Sequence, residues 1–237
     1  MTRRGIMELM AGGSVLAIAG CGQVKGVLRY RVTIEVDTPS GVQVGSSVLE
    51  NRSTQGSKGI FRMTDMGSSI TIGESPFVDL GNGRLLFAML QDGGHGRQIH
   101  ELSFNVFRYA DLKPPLSRAY DQSEWPEFYK EAKTVKPFAV AGRDDYPMFV
   151  TFADPANPAS VKEVDPDNLA ATFGPGYRLM RLTVQVTDDA MTAQVPAVLP
   201  WLRAHPDARL IPWKSMDPDQ PQVAYLTGDC FVQQPVT

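Results

Sequence analysis

The sequence predicts an α+β fold: a mostly antiparallel sheet, a few short helices and a proline-rich C-terminal region. Three observations carry that expectation. Leu28, Tyr30, Val32, Ile34 and Val36 alternate with Arg29, Arg31, Thr33, Glu35 and Asp37, the period of a strand with one wet face. Helical spacing occurs only in short segments, without the regular βαβ rhythm of a parallel sheet. Prolines gather between Pro196 and Pro221, where regular backbone hydrogen bonding is hard to sustain. The composition suits such a fold. Of 237 residues, 43% are hydrophobic and 21% charged, which is ordinary for a globular chain. A net charge of -3 offers no basic surplus for a nucleic-acid backbone, so no nucleic-acid partner is expected.

The strand at 28–37 is followed by Asp37-Thr38-Pro39-Ser40-Gly41, which reads as a turn. Val42, Val44, Ser46 and Val48 continue the alternation and complete a hairpin. Residues 51–59 are polar and rich in Gly and Ser, hence a loop. Strands are expected at 69–72 and 77–80, and Gly81-Asn82-Gly83 supplies a tight turn. The continuous apolar run 85–90 reads as a strand buried on both faces. Residues 92–97 form a polar Gly-rich loop. Ile99, Leu102 and Val106 recur at helical spacing, so 98–109 reads as a helix stopped by Pro114-Pro115. Ser123 caps a second helix, with lysines 130, 133 and 136 late and Pro137 at its end.

Residues 148–152 are strand-like and 154–160 form a loop. Asp165 and Pro166 read as the cap and first position of a short helix, ended by Gly174-Pro175-Gly176. Met180, Leu182, Val184 and Val186 place one face of a strand over 178–187. The stretch 196–221 reads as irregular, pinned to the body by Trp201 and Trp213, and 223–232 as a last strand. No internal repeat or linker divides 27–237, which reads as one domain, with 110–122 as the alternative boundary.

The first residues carry an address. Arg3 and Arg4 give a positive start, and 9–20 is a small-residue apolar segment too short and Gly-rich to span a bilayer. It ends Ile18-Ala19-Gly20-Cys21. This resembles the lipobox of bacterial lipoprotein signal peptides. The resemblance implies cleavage after Gly20, lipidation of Cys21 and a short tether, 22–26. A lipoprotein carries two or three acyl chains, and multiple chains anchor stably where one does not. Thr2-Arg3-Arg4 also resembles a twin-arginine export signal, from which Glu8 departs. Gly22, in place of an Asp after the cysteine, favours outer-membrane sorting. Cleavage would leave 21 basic and 25 acidic residues. Cys230 then reads as a small buried hydrophobe in a strand; without lipidation, a 21–230 disulfide is the alternative.

Residues 164–177, with Val150-Thr151-Phe152 and Leu199-Pro200-Trp201, resemble a widespread family of uncharacterised proteobacterial proteins. That resemblance implies a coherent module and no particular chemistry.

Catalytic signatures are few. His95 and His100 are five apart, so neither a helix nor a strand aims both at one ion. Only a loop site using Asp92, His95 and Glu101 could hold a metal; no cofactor is otherwise expected. His205 reads as surface turn. The acid pairs 144/145, 165/167, 188/189 and 217/219 flank Gly or Pro and read as caps and turns. Gly73-Glu74-Ser75-Pro76 lacks the second glycine of a nucleophile elbow. The wet face at Arg29, Arg31, Thr33 and Glu35 suits either a partner surface or solvated cross-strand ion pairs. The expectation is a lipid-anchored envelope protein, an accessory or binding module with an envelope protein partner. The alternative is a periplasmic hydrolase using His95 or His100 with a carboxylate.

Overall fold

A computed structural model describes residues 24–54, 68–91, 113, 125–212 and 220–234. Two antiparallel sheets and a C-terminal cap build it. Strands β1 (Val24–Thr38) and β2 (Gly41–Thr54) form a long hairpin across the turn at Pro39 and Ser40. Thr38 closes that turn, its hydroxyl donating to the Gly41 carbonyl at 2.7 Å. The hairpin is extended by β3 (Ser68–Glu74), β9 (Arg178–Val186), β6 (Phe138–Val140) and β10 (Val232–Gln233), in the order β10-β3-β2-β1-β9-β6. The second sheet has the order β4-β5-β7-β8, from β4 (Phe77–Asp79), β5 (Leu85–Ala88), β7 (Phe149–Phe152) and β8 (Val161–Val164). The described α-helices are α1 (Trp125–Val135), α2 (Leu169–Phe173) and α3 (Val195–Val198). The chain is therefore α+β with mostly antiparallel sheets.

Alternation in β1 is what the sequence predicts. Its five apolar residues, 28 to 36, are buried against the second sheet, and the polar set faces outward, half-buried. β5 and β7 are buried at every position, because the second sheet is covered on both faces. Leu86, Phe149 and Val164 pack toward the six-stranded sheet, with Val32 and Ile34. Phe87, Val150 and Phe152 pack toward the cap, with Leu199, Trp201 and Phe231. Phe231 is fully buried, its ring 5.6 Å from Phe87, 5.7 Å from Phe152 and 6.0 Å from Trp201. Trp201 thus pins the C-terminal segment as expected; Trp213 lies outside the described residues.

Several expectations are corrected. Val42 and Val44 are 51% and 60% exposed. The two-residue turn sets Val42 opposite Asp37 and Val44 opposite Glu35, so these valines share the wet face. The inner face of β2 instead carries Gly45, Ser47 and Leu49, because β4 runs close beneath: a Cβ at Gly45 would lie 1.8 Å from the Phe77 carbonyl oxygen. Met180 is 44% exposed. The β1–β9 register shifts between Glu35 and Val36, pairing them with Arg181 and Leu179 and leaving Met180 as the extra residue. This is a β-bulge, which breaks the alternation locally.

β2 continues to Thr54, so 51–54 is strand rather than loop; β1 begins at Val24, inside the expected tether. α2 starts later than expected. Asn168 caps it, accepting from the Ala171 N–H at 3.2 Å, while Asp165 accepts from the Asp167 N–H at 2.9 Å in an Asx turn. Gly174, at φ 100°, does end that helix. The expected last strand is mostly 3-10 turns, Gln222–Tyr225 and Gly228–Cys230, followed by the two residues of β10. Strands β6 and β8 were not foreseen. The expected helix at 98–109 and the Ser123 cap lie outside the described residues.

Candidate functional site

The residues with an expected chemical role near the middle of the chain, Asp92, His95, His100 and Glu101, lie outside the described residues, as does Cys21. His205 is exposed in a turn, its N–H donating to the Trp201 carbonyl at 3.0 Å. Among the described residues, no group of three His, Cys, Asp or Glu side chains could hold a metal ion. The described acid pairs do turn and surface work. Arg143 grips Asp167 at 2.6–2.9 Å and holds its carboxyl below the usual range. Asp189 is held down likewise by Arg31 and the Thr187 hydroxyl, each at 2.7 Å. Asp217 and Asp219 lie outside the described residues.

The segment Gly73-Glu74-Ser75-Pro76 has a structural role that the sequence did not announce. Ser75 is fully buried and all its polar atoms are engaged. Its hydroxyl donates to the Cys230 carbonyl at 3.4 Å and accepts from the Leu90 N–H at 3.3 Å. Its N–H donates to the Phe231 carbonyl at 2.8 Å, and its carbonyl accepts from the Ser47 hydroxyl at 3.4 Å. Such a hydroxyl has no room to act as a nucleophile. Glu74, only 2% exposed, accepts from the Gln194 N–H at 2.6 and 2.7 Å and from the Val195 N–H at 2.8 Å. A carboxylate from β3 therefore caps α3, satisfying amide donors that the helix itself leaves open. No local capping signal reveals it, because the partners are 120 residues apart.

The outer face of the six-stranded sheet is a ladder of ion pairs. Glu50 is 3% exposed between Arg29 at 2.8 Å and Arg52 at 2.7 Å. Burial raises its pKa, but the two guanidinium groups outweigh that and hold the carboxyl below its ordinary value. Arg31 donates to the Ser46 hydroxyl at 3.0 Å and to Asp189. Glu35 pairs with Arg181 at 2.8 Å and Asp37 with Arg178 at 3.4 Å. The polar face is thus largely self-neutralised, which fits the solvated-sheet reading better than a strongly charged docking surface. The exposed pairs, Arg31–Asp189 and Asp37–Arg178, contribute at most about 1 kcal/mol each.

A cavity of about 470 Å³ opens at the edge of the C-terminal cap. Pro196, Leu202 and Val232 give it apolar walls, and Arg203, Asp207 and Asp229 line it with charge. Its shape depends on Gly228, where a Cβ would fall 2.0 Å from the Pro206 carbonyl oxygen. The Thr227 hydroxyl bonds the Asp229 carboxylate, and the Gln233 amide donates to the Asp229 carbonyl at 2.8 Å. The described lining holds no Ser, Cys or His. The lining offers one guanidinium for an anionic group, two carboxylates for a cationic one and apolar walls for the rest. Sequence reasoning missed this site, because its residues come together through 3-10 turns that leave no periodic pattern. No family model, curated protein or solved structure matches the chain.

Proposed function

We propose that the chain is a lipid-anchored protein of the cell envelope, serving as a non-catalytic binding or accessory module. The observation that carries this reading is the order Arg3-Arg4, a short apolar segment, then Ile18-Ala19-Gly20-Cys21. Processing before Cys21 would give a mature chain whose first strand begins three residues after the lipidated cysteine. The body then stands directly on the membrane, with the 15-residue β1 leading away from the anchor. Export by the twin-arginine route would deliver it already folded, and outer-membrane sorting follows from Gly22. The domain from residue 27 acts as one module.

Two features support a binding role. Ser75 is locked into the core, and the cavity at Arg203, Asp207 and Asp229 offers charged groups beside apolar walls. No described helix is long and apolar enough to cross a membrane; on this reading the acyl chains at Cys21 supply the attachment. Radiolabelled palmitate tests the proposal. It should enter the wild-type chain and not a Cys21→Ala variant. Equal labelling of the two, or none in either, ends the lipoprotein reading.

A further inference from the structure

β2 has an open edge. β3 pairs with it only over Glu50–Thr54. At Val48 the edge is closed by Thr192: the Val48 N–H donates to the Thr192 hydroxyl at 3.2 Å, and the Thr192 N–H donates to the Val48 carbonyl at 3.4 Å. Both main-chain groups of Val48 therefore point away from β1. Alternation puts those of Val42, Val44 and Ser46 on the same side. No described residue takes them.

Among the described residues, this edge lacks the usual protection. The run Gly41-Val42-Gln43-Val44-Gly45-Ser46 contains no charged residue and no proline, the devices that keep edges from pairing. Its outward side chains, Val42 and Val44, are more than half exposed. The neighbouring charges on β1 are already matched, Glu35 by Arg181 and Asp37 by Arg178.

We propose that this edge pairs antiparallel with the same edge of a second copy of the chain, about a two-fold axis at Val44. The open window, 42–46, is symmetric about that residue. Val44 then faces its own counterpart, Val42 faces the partner's Ser46, and about six main-chain hydrogen bonds close the ladder. The valines of both copies form one apolar strip on the joined sheet. A two-fold axis makes like meet like, so a charged edge would repel itself; this uncharged one does not. A foreign strand would need a charge or pocket for its selection, and the edge offers neither.

Cysteine cross-linking of the full chain in detergent tests the register. Facing residues of a hydrogen-bonded antiparallel pair have Cα atoms about 5.5 Å apart, within disulfide reach. Under mild oxidation, Val44→Cys should give several-fold more covalent dimer than wild type. Val42→Cys alone should give no excess, but a mixture of Val42→Cys and Ser46→Cys chains should. Sedimentation of the wild type should show twice the chain mass. Val44→Lys should return it to one chain mass with an unchanged circular-dichroism spectrum, and Val44→Thr should keep the dimer. A wild type that sediments as one chain overturns the proposal, whether or not it captures a foreign strand. So does a Val44→Cys yield at background, or efficient self-linking of Val42→Cys.

Discussion

Removing the Glu74 carboxylate should loosen the C-terminal cap. This side chain is buried on β3 and takes the N–H groups of Gln194 and Val195, at 2.6–2.8 Å. Glu74→Ala leaves two donors without their acceptor at the start of α3. Hydrogen bonds to a charged group contribute about 1.5–3 kcal/mol each, so the expected loss for two donors is about 3–6 kcal/mol. For a chain of this size that corresponds to roughly 10 °C in melting temperature. Glu74→Gln keeps one neutral acceptor oxygen and should lose only about 1–2 kcal/mol. Urea unfolding followed by tryptophan fluorescence measures both, since Trp201 is buried in the core that the cap closes. Limited proteolysis should show earlier cleavage in 195–212 for the alanine variant. A Glu74→Ala protein within about 1 kcal/mol of wild type, with its cleavage pattern unchanged, would refute the capping argument.

Phe231→Ala removes the ring shared by Phe87, Phe152 and Trp201 and should cost about 3–5 kcal/mol in urea unfolding, as large-to-small changes in a packed core do; a loss under 1 kcal/mol would contradict the packing. Glu50 should make stability depend on acid. Its carboxyl has an ordinary value of 4.5 and is held lower in the fold by Arg29 and Arg52. The unfolded chain therefore binds the proton first, and the stabilisation present above 4.5 is lost as pH falls toward the folded value. The gap in urea midpoint between wild type and Glu50→Gln should be widest near neutral pH and shrink below about pH 4; a gap independent of pH would show that the pair contributes no such linkage.

Much of the sheet was legible because one face is wet and the other dry. That contrast prints a period of two on β1, and burial on both faces prints the continuous apolar run of β5. The same rule misled at β2. Val42 and Val44 look like core by alternation alone, but the two-residue turn places them opposite Asp37 and Glu35. The inner face needed Gly45 instead, because β4 comes too close for a side chain. Met180 misled for a related reason, since a bulge resets the phase within β9. The C-terminal cap was hardest to read. Its 3-10 turns carry no period, and one of its ties to the body is Glu74, far away in sequence. The cavity inherits the same difficulty, as Arg203, Asp207 and Asp229 meet only after the cap has folded.

The most direct measurement is the mass of the N-terminal peptide of the protein isolated from the cells that produce it, with membrane and soluble fractions analysed separately. Membrane-bound chains beginning at residue 21, with a diacylglyceryl adduct on the thiol, are the expected result. Chains still beginning at Met1 in the soluble fraction, with an unmodified thiol at position 21, would contradict the account.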